Sequence, residues 1–294
     1  MKFAYYPGCS LKGTGRAYEE SLLEVLRALG VEIEEIADWN CCGATAYMAV
    51  DEGKAFTLAA RNLALAEKTG MQILAPCAAC YLVLQKAKDY IQKYPETAAV
   101  VHRGLDAIGL AYRGDAVVRH PLDVLVNDVG LEAIRAHVTH PLKGLKVATY
   151  YGCQVVRPYA TFDHQQYPVT MDKLLEAAGA EIVHFPLKTK CCGGSLTGTL
   201  PSVGARLCHV IRHEAKRQGA DLIATLCPLC QFNLDGYQDK NKMAGQSYTP
   251  VKMAVVYFTQ LLGLAFGIPA KKLGLQRNIV SAAPALKARQ IAGA

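Results

Sequence analysis

Five cysteines recur in the same order in both halves of the chain, and this duplication constrains the fold more than any other feature. Cys9 is followed by 31 residues, the adjacent pair Cys41-Cys42, 34 residues and Cys77-x-x-Cys80. Cys153 is followed by 37 residues, Cys191-Cys192, 34 residues and Cys227-x-x-Cys230. The copies are offset by 144 residues at the first cysteine and by 150 at the other four, which places a six-residue insertion after Cys153. Ten of the eleven cysteines are thereby explained. Repetition on this scale predicts one structural unit used twice.

Thiols in such numbers serve as disulfides, zinc ligands, cluster ligands or core. Disulfides belong to oxidising compartments, and Met1 to Tyr5 has no charged stretch leading into an apolar one, so a cytoplasmic location is expected. Zinc is saturated by four ligands, usually paired at shorter separations, whereas each half offers five sulfurs, two of them adjacent. That surplus favours an iron–sulfur centre, with zinc as the competing reading. Cys208, outside both sets and inside an expected helix, is read as a small core residue.

Periodicity places the cysteines. In the first half, strands are expected at residues 2–6, 31–36 and 71–75, with helices through Leu22 to Leu29, from Met48 to Lys68, and after Cys77. In the second half, strands are expected at 147–151, 181–185 and 222–226, with helices at 171–178 and 202–218 and after Cys227. Each half reads βαβαβα, so the fold class is α/β: two pseudo-symmetric Rossmann-like halves with parallel sheets. Residues 96–142 read as a helical linker, and the matching place in the second half reads as a polar loop at Asp239 to Ser247, a helix at Val251 to Phe266 and a basic tail. The expected domains are 1–142 and 143–294.

All ten repeat cysteines follow a strand directly, at the carboxyl edge where parallel sheets carry their function. An adjacent cysteine pair serves one centre only in a turn, and Gly43 and Gly193-Gly194 permit one. Each pair and each C-x-x-C also opens onto a helix start, which favours negative charge.

Charge says little about partners. The net +7 contains Lys271, Lys272, Arg277, Lys287 and Arg289 from the last 24 residues, which hold no acid, leaving +2 elsewhere. No anion-attracting body or nucleic-acid surface is indicated; the tail is read as docking a partner or merely solvated. The longest apolar stretch, Met253 to Ile268, falls short of the ~20 residues that span a bilayer, so no membrane anchor is expected. Gly13-Thr14-Gly15 lacks a phosphate-loop lysine, and His184, His209 and His213 read as structural.

The repeated Cys, Cys-Cys-Gly, Cys-x-x-Cys order resembles the cysteine-rich CCG domain of the heterodisulfide reductase B subunits and their relatives. Both copies carry the glycine after the pair, and the closing Tyr257 to Gly263 stretch extends the match; the second gap is one residue shorter than the family's usual minimum. The resemblance implies a noncubane [4Fe-4S] cluster in each half, ligated by Cys9, Cys41, Cys42, Cys77 and Cys80 in the first and by Cys153, Cys191, Cys192, Cys227 and Cys230 in the second. It further implies an enzyme that reduces the mixed disulfide of coenzyme M and coenzyme B to two thiols. Other members belong to quinone- or fumarate-linked oxidoreductases, so the alternative reading is a quinone- or fumarate-linked subunit of the same cysteine architecture, and a different class of reading is a non-catalytic zinc- or cluster-holding scaffold. A ferredoxin-like cysteine run is absent from the sequence, so electrons are expected from a separate iron–sulfur protein, the C subunit of such a reductase, in a complex that also contains a flavin-bearing subunit. A disulfide with anionic ends needs cations near the clusters, and the candidates are Lys12, Arg16, Arg157, His164, Lys188 and Lys190.

Overall fold

Strands that are apolar on both faces are stable only between two layers of helices, and both halves of the chain are built that way. The computed structural model describes residues 1–44, 46–238 and 249–291. The first half contains β1 (Lys2–Tyr5), β2 (Glu32–Glu35), β3 (Ile73–Leu74) and β4 (Val118–Arg119). The second contains β5 (Lys146–Tyr150), β6 (Glu181–Ile182), β7 (Leu222–Thr225) and β8 (Ala254–Tyr257). All pairings are parallel, in the order β2-β1-β3-β4 and β6-β5-β7-β8. The halves are Rossmann-like and mixed α/β, as the sequence predicts.

The fourth strand of each sheet is where sequence and structure part. The 96–142 linker is helical at Pro95–Asp106, Pro121–Asp123 and Leu131–His137, but it also contributes β4. Likewise, the helix expected at Val251 to Phe266 is strand β8 followed by a shorter helix, Phe258–Ala265. Val255 and Val256 suit a buried strand beside β7, and Gln260 Oε1 accepts from the Tyr257 N–H at 2.9 Å, which starts the helix there. The helix expected from Met48 to Lys68 is broken at Asp51. Its carboxylate accepts the Lys54 N–H at 3.0 Å and caps a new helix, Glu52–Glu67. The polar loop expected over Asp239 to Ser247 lies outside the described residues.

The halves share one core. The helix Arg16–Ala28 of the first half lies against the helix Phe258–Ala265 of the second, with Ser21 and Thr259 hydroxyls 2.6 Å apart between them. The loop after Cys153 crosses the other way: Tyr159 donates to Asp89 at 3.1 Å, and the Tyr81 and Thr161 hydroxyls meet.

The basic tail is neither free nor simply solvated over its described length. Arg277 pairs with Glu20 at 2.7 Å and Arg289 with Asp221 at 2.9 Å. Asp235 accepts the Ile279 and Val280 N–H groups, and the Leu273 and Leu286 side chains are buried. Leu273 fills the space above Gly263, where an added Cβ would lie 2.3 Å from Leu273 Cδ2. Two of the five cations therefore hold the tail to the body. Because Leu273 is a core residue, Leu273→Ala is expected to cost about 2–5 kcal/mol of stability, measured by anaerobic urea unfolding, and a surface-tail role would leave the midpoint unchanged.

Candidate metal centre

The strands end where the cysteines begin, and the chain brings each set of five together. In the first half Cys42 and Cys80 sulfurs are 3.4 Å apart, with Cys41 in contact with Cys42 and Cys77 with Cys80. In the second half Cys192 and Cys230 are 3.5 Å apart, Cys191 touches both Cys153 and Cys192, and Cys227 touches Cys230. Cys9, Cys41 and Cys191 are exposed and Cys153 is half-buried, while the remaining members are buried. Each set thus has a sealed inner side and an open outer one.

Close approach of backbone to sulfur makes the convergence possible. Gly8 and Gly152 precede the first cysteine of each set with φ of +68° and +69°. A Cβ added at Gly8 would sit 2.8 Å from Cys80 Sγ, and at Gly152 it would sit 3.1 Å from Cys230 Sγ. Only glycine satisfies both the dihedral and the distance. The turn expected at the adjacent pairs is present, with Gly43 and Gly193 at φ of +81° and +101°.

A second clamp fixes the adjacent pairs. Tyr6 Oη donates to Asn40 O at 2.8 Å, and Tyr150 Oη donates to Lys190 O at 2.6 Å. Asn40 and Lys190 immediately precede the two pairs, so each tyrosine ties its strand end to the turn. The signal was available in the sequence, since both tyrosines stand three residues before the first cysteine of their set. Asn233 belongs to the second half alone, with its Nδ2 3.4 Å from Cys192 Sγ and 2.9 Å from Gly194 O.

Thiol contacts split the acidities within each set. Cys191 is held far below the ordinary thiol range by contacts from Cys153 and Cys192, with the Gly193 N–H, 3.3 Å away, helping. Cys42 is lowered in the same way by Cys41 and Cys80. Cys80 and Cys230 are raised, by thiol contact first and burial after it. Each set thus holds one member toward thiolate, Cys42 in the first and Cys191 in the second, the form that binds soft metals, while the contacting Cys41 and Cys153 are held toward thiol. Among the described residues no three His, Cys, Asp or Glu donors close around one point as the ligands of a single ion do. Four linked sulfurs in the first half, with Cys9 near them, and five in the second, each over a glycine cradle, fit a sulfur-rich centre of several metal atoms.

The cations expected to hold substrate divide. Lys188 is committed to the protein: it pairs with Asp172 at 2.5 Å, donates to Pro168 O at 3.0 Å and covers the Tyr151 ring. His164 Nδ1 accepts the Gln166 and Tyr167 N–H groups, so it organises its own loop. Lys12 is paired with Glu19 and Glu35, both at 2.8 Å. Arg157 donates to Thr189 O and acts on Cys191, which puts it beside the second set. Arg16 and Lys190 are exposed. Cys208 is buried, donates to Cys192 O at 3.2 Å, and is pushed up to about 12 by burial, as suits a core residue.

Sequence comparison agrees with this geometry. A family model described as a cysteine-rich CCG domain matches residues 3–85 and 147–235, one match per half. The chain belongs to the CCG cysteine-rich domain family. One CCG relative is the 8-methylmenaquinol:fumarate reductase membrane anchor subunit of Wolinella succinogenes, 34% identical over 96% of this chain and 98% of that one. Another is the B subunit of the ferredoxin/F(420)H(2)-dependent CoB-CoM heterodisulfide reductase of Methanosarcina acetivorans, 31% identical over 95% and 94%. A protein of Archaeoglobus profundus described as like the heterodisulfide reductase B subunit is 30% identical over 93% of each chain. The crystal structure of a hypothetical protein from Helicobacter pylori has the same fold at a TM-score of 0.74 and 16% identity, over 95% of this chain and 52% of that one. No helix among the described residues is long and apolar enough to cross a membrane.

The Lys188–Asp172 pair generates a prediction that separates a structural cation from a substrate-binding one. Asp172 also receives the Thr149 and Tyr151 hydroxyls, so losing its charged donor weakens a shared network. Lys188→Ala is expected to lower stability by about 1.5–3 kcal/mol, read from anaerobic urea unfolding, while Arg16→Ala leaves the midpoint where it is. Equal midpoints for the two variants would contradict this assignment.

Proposed function

We propose that the chain is the catalytic subunit of a multi-subunit reductase in which two noncubane [4Fe-4S] clusters serve the cleavage of the coenzyme M–coenzyme B heterodisulfide. Residues 1–142 hold one cluster through Cys9, Cys41, Cys42, Cys77 and Cys80. Residues 143–294 hold the other through Cys153, Cys191, Cys192, Cys227 and Cys230. The observation that carries this reading is that two complete five-thiol sets, each with its own glycine cradle and tyrosine clamp, are built into one shared core.

The chemistry balances with two centres. A disulfide accepts two electrons and two protons to become two thiols; clusters supply electrons one at a time, and a pair supplies both. The protein's part is to hold thiolates, seal their inner side and leave an outer face open to substrate. Arg157, beside Cys191, and the exposed Arg16 and Lys190 are the remaining cations for the anionic ends of the substrate. Electrons come from a partner iron–sulfur protein, the C subunit of the complex, in turn served by a flavin-bearing subunit.

The Wolinella relative supports a second reading, in which the same two-centre subunit links a quinol to fumarate. One assay separates the two. Thiol release from the heterodisulfide, driven by a reduced dye and followed with a thiol reagent, is expected from the purified subunit. Activity only with a quinol or fumarate, in the assembled complex, would replace the first reading with the second.

Independent sites make a further prediction. Cys41→Ala and Cys192→Ala are each expected to abolish one cluster's electron paramagnetic resonance signal and keep the other's. Loss of both signals from either variant in a folded protein would mean a single shared centre.

A further inference from the structure

The halves interlock through two ring stacks that share a plan and differ in chemistry. Tyr18 stands nine residues after Cys9, and Phe162 stands nine residues after Cys153. Each reaches the fourth strand of the opposite half. Tyr18 stacks on Tyr257, the last residue of β8, with centroids 4.6 Å apart and planes within 7°. Phe162 stacks on His120, the residue after β4, at 6.2 Å and 10°. Register makes these partners equivalent: Thr225 lies opposite Tyr257, and one step beyond the Leu74–Arg119 pairing Ala75 meets His120.

In the Phe162 stack the polar atoms are satisfied by protein. His120 Nε2 donates to Pro76 O at 3.0 Å, next to Cys77, and Nδ1 accepts the Leu122 N–H at 3.1 Å. Burial lowers this histidine to about 4, so the ring is neutral and the contacts fix its tautomer. In the Tyr18 stack, both hydroxyls are buried and neither has a hydrogen-bond partner. Buried orphan hydroxyls are costly, and native proteins keep few of them. Two side by side, where the equivalent stack has none, call for an acceptor outside the polypeptide.

Their surroundings say what that acceptor is. The helix carrying Tyr18 begins against the second C-x-x-C: a Cβ added at Gly15 would lie 3.1 Å from Pro228 Cβ, one residue after Cys227. Tyr257 faces Thr225, two residues before Cys227, and the Thr225 hydroxyl is also buried without a partner. Both phenols are pushed well above their ordinary value, by burial first and with the Cys77 and Cys227 sulfurs among the further causes. A phenol carries its proton at neutral pH, so each hydroxyl has a proton to donate.

We propose that the Tyr18 and Tyr257 hydroxyls donate hydrogen bonds to cluster sulfur at the junction of the two sites and raise the reduction potential there, a proposal that rests on the two-cluster reading above. A hydrogen bond to sulfur favours the more negative, reduced form, and such bonds are among the levers that set cluster potentials. The equivalent donor in the other stack is already engaged by Pro76 O, so the junction has its donors on one side only.

The test uses full-length protein with anaerobically assembled clusters and the variants Tyr18→Phe, Tyr257→Phe and the double variant, which keep both rings. Iron and sulfide content should match the wild type, while redox titration followed by electron paramagnetic resonance shows a negative shift in at least one midpoint, larger in the double variant. Tyr112→Phe is the control, because its hydroxyl is also buried without a partner but lies near Glu67 and Asp115, away from the cysteines. Unchanged midpoints in the fully loaded double variant, or an equal shift in Tyr112→Phe, would overturn the proposal. So would loss of iron from either single variant, which would assign the hydroxyl to holding the site together. Absence of iron from the wild type would instead overturn the two-cluster reading, and it is seen before any variant is compared.

Discussion

Five sulfurs can share one edge of a sheet only if the backbone carrying the first of them passes within contact distance of the last. Gly8 against Cys80 and Gly152 against Cys230 meet that requirement, at positions where both the dihedral and the gap exclude a side chain. Everything else about the site follows from keeping that approach in register. The tyrosine clamps hold the adjacent pairs to the strand ends, and the parallel sheets hold the strand ends to one another. Contact between thiols lowers one member and raises its neighbour, so proton loss is concentrated on Cys42 in the first set and Cys191 in the second.

Duplication alone would give two sites; interlocking gives two sites facing one junction. The segment after each first cysteine leaves its own half and stacks on the other, through Tyr18 on Tyr257 and Phe162 on His120. The six extra residues of the second copy follow Phe162, so the nine-residue spacing from the first cysteine to the stacking ring is the same in both halves. The C-terminal segment then ties across the same seam, with Arg277 on Glu20 of the first half and Arg289 on Asp221 of the second. A chain built this way ties its two cysteine sets together through stacked rings and ion pairs from both ends.

Much of this was legible in the sequence because the cysteine spacing repeats and because four of the six expected strands run straight into Gly or Pro, at Pro7, Pro76, Gly152 and Pro186. The fourth strands were not. Val118-Arg119 is too short to show a period, and Ala254 to Tyr257 runs directly into an apolar helix, so hydropathy alone joins them. The electrostatic roles were also out of reach. Lys188 and Arg157 both lie close in sequence to cysteines, yet one is bound into the Asp172 network and the other faces Cys191, a difference that depends on long-range packing. The tyrosine clamps could have been found by aligning the two copies, since Tyr6 and Tyr150 coincide in that register.

The central claim is that each half holds a multi-iron centre, and metal analysis of anaerobically purified protein tests it most directly. The account predicts iron and acid-labile sulfide in equal amounts, enough for two four-iron clusters per chain, with no stoichiometric zinc. Stoichiometric zinc without sulfide would contradict it.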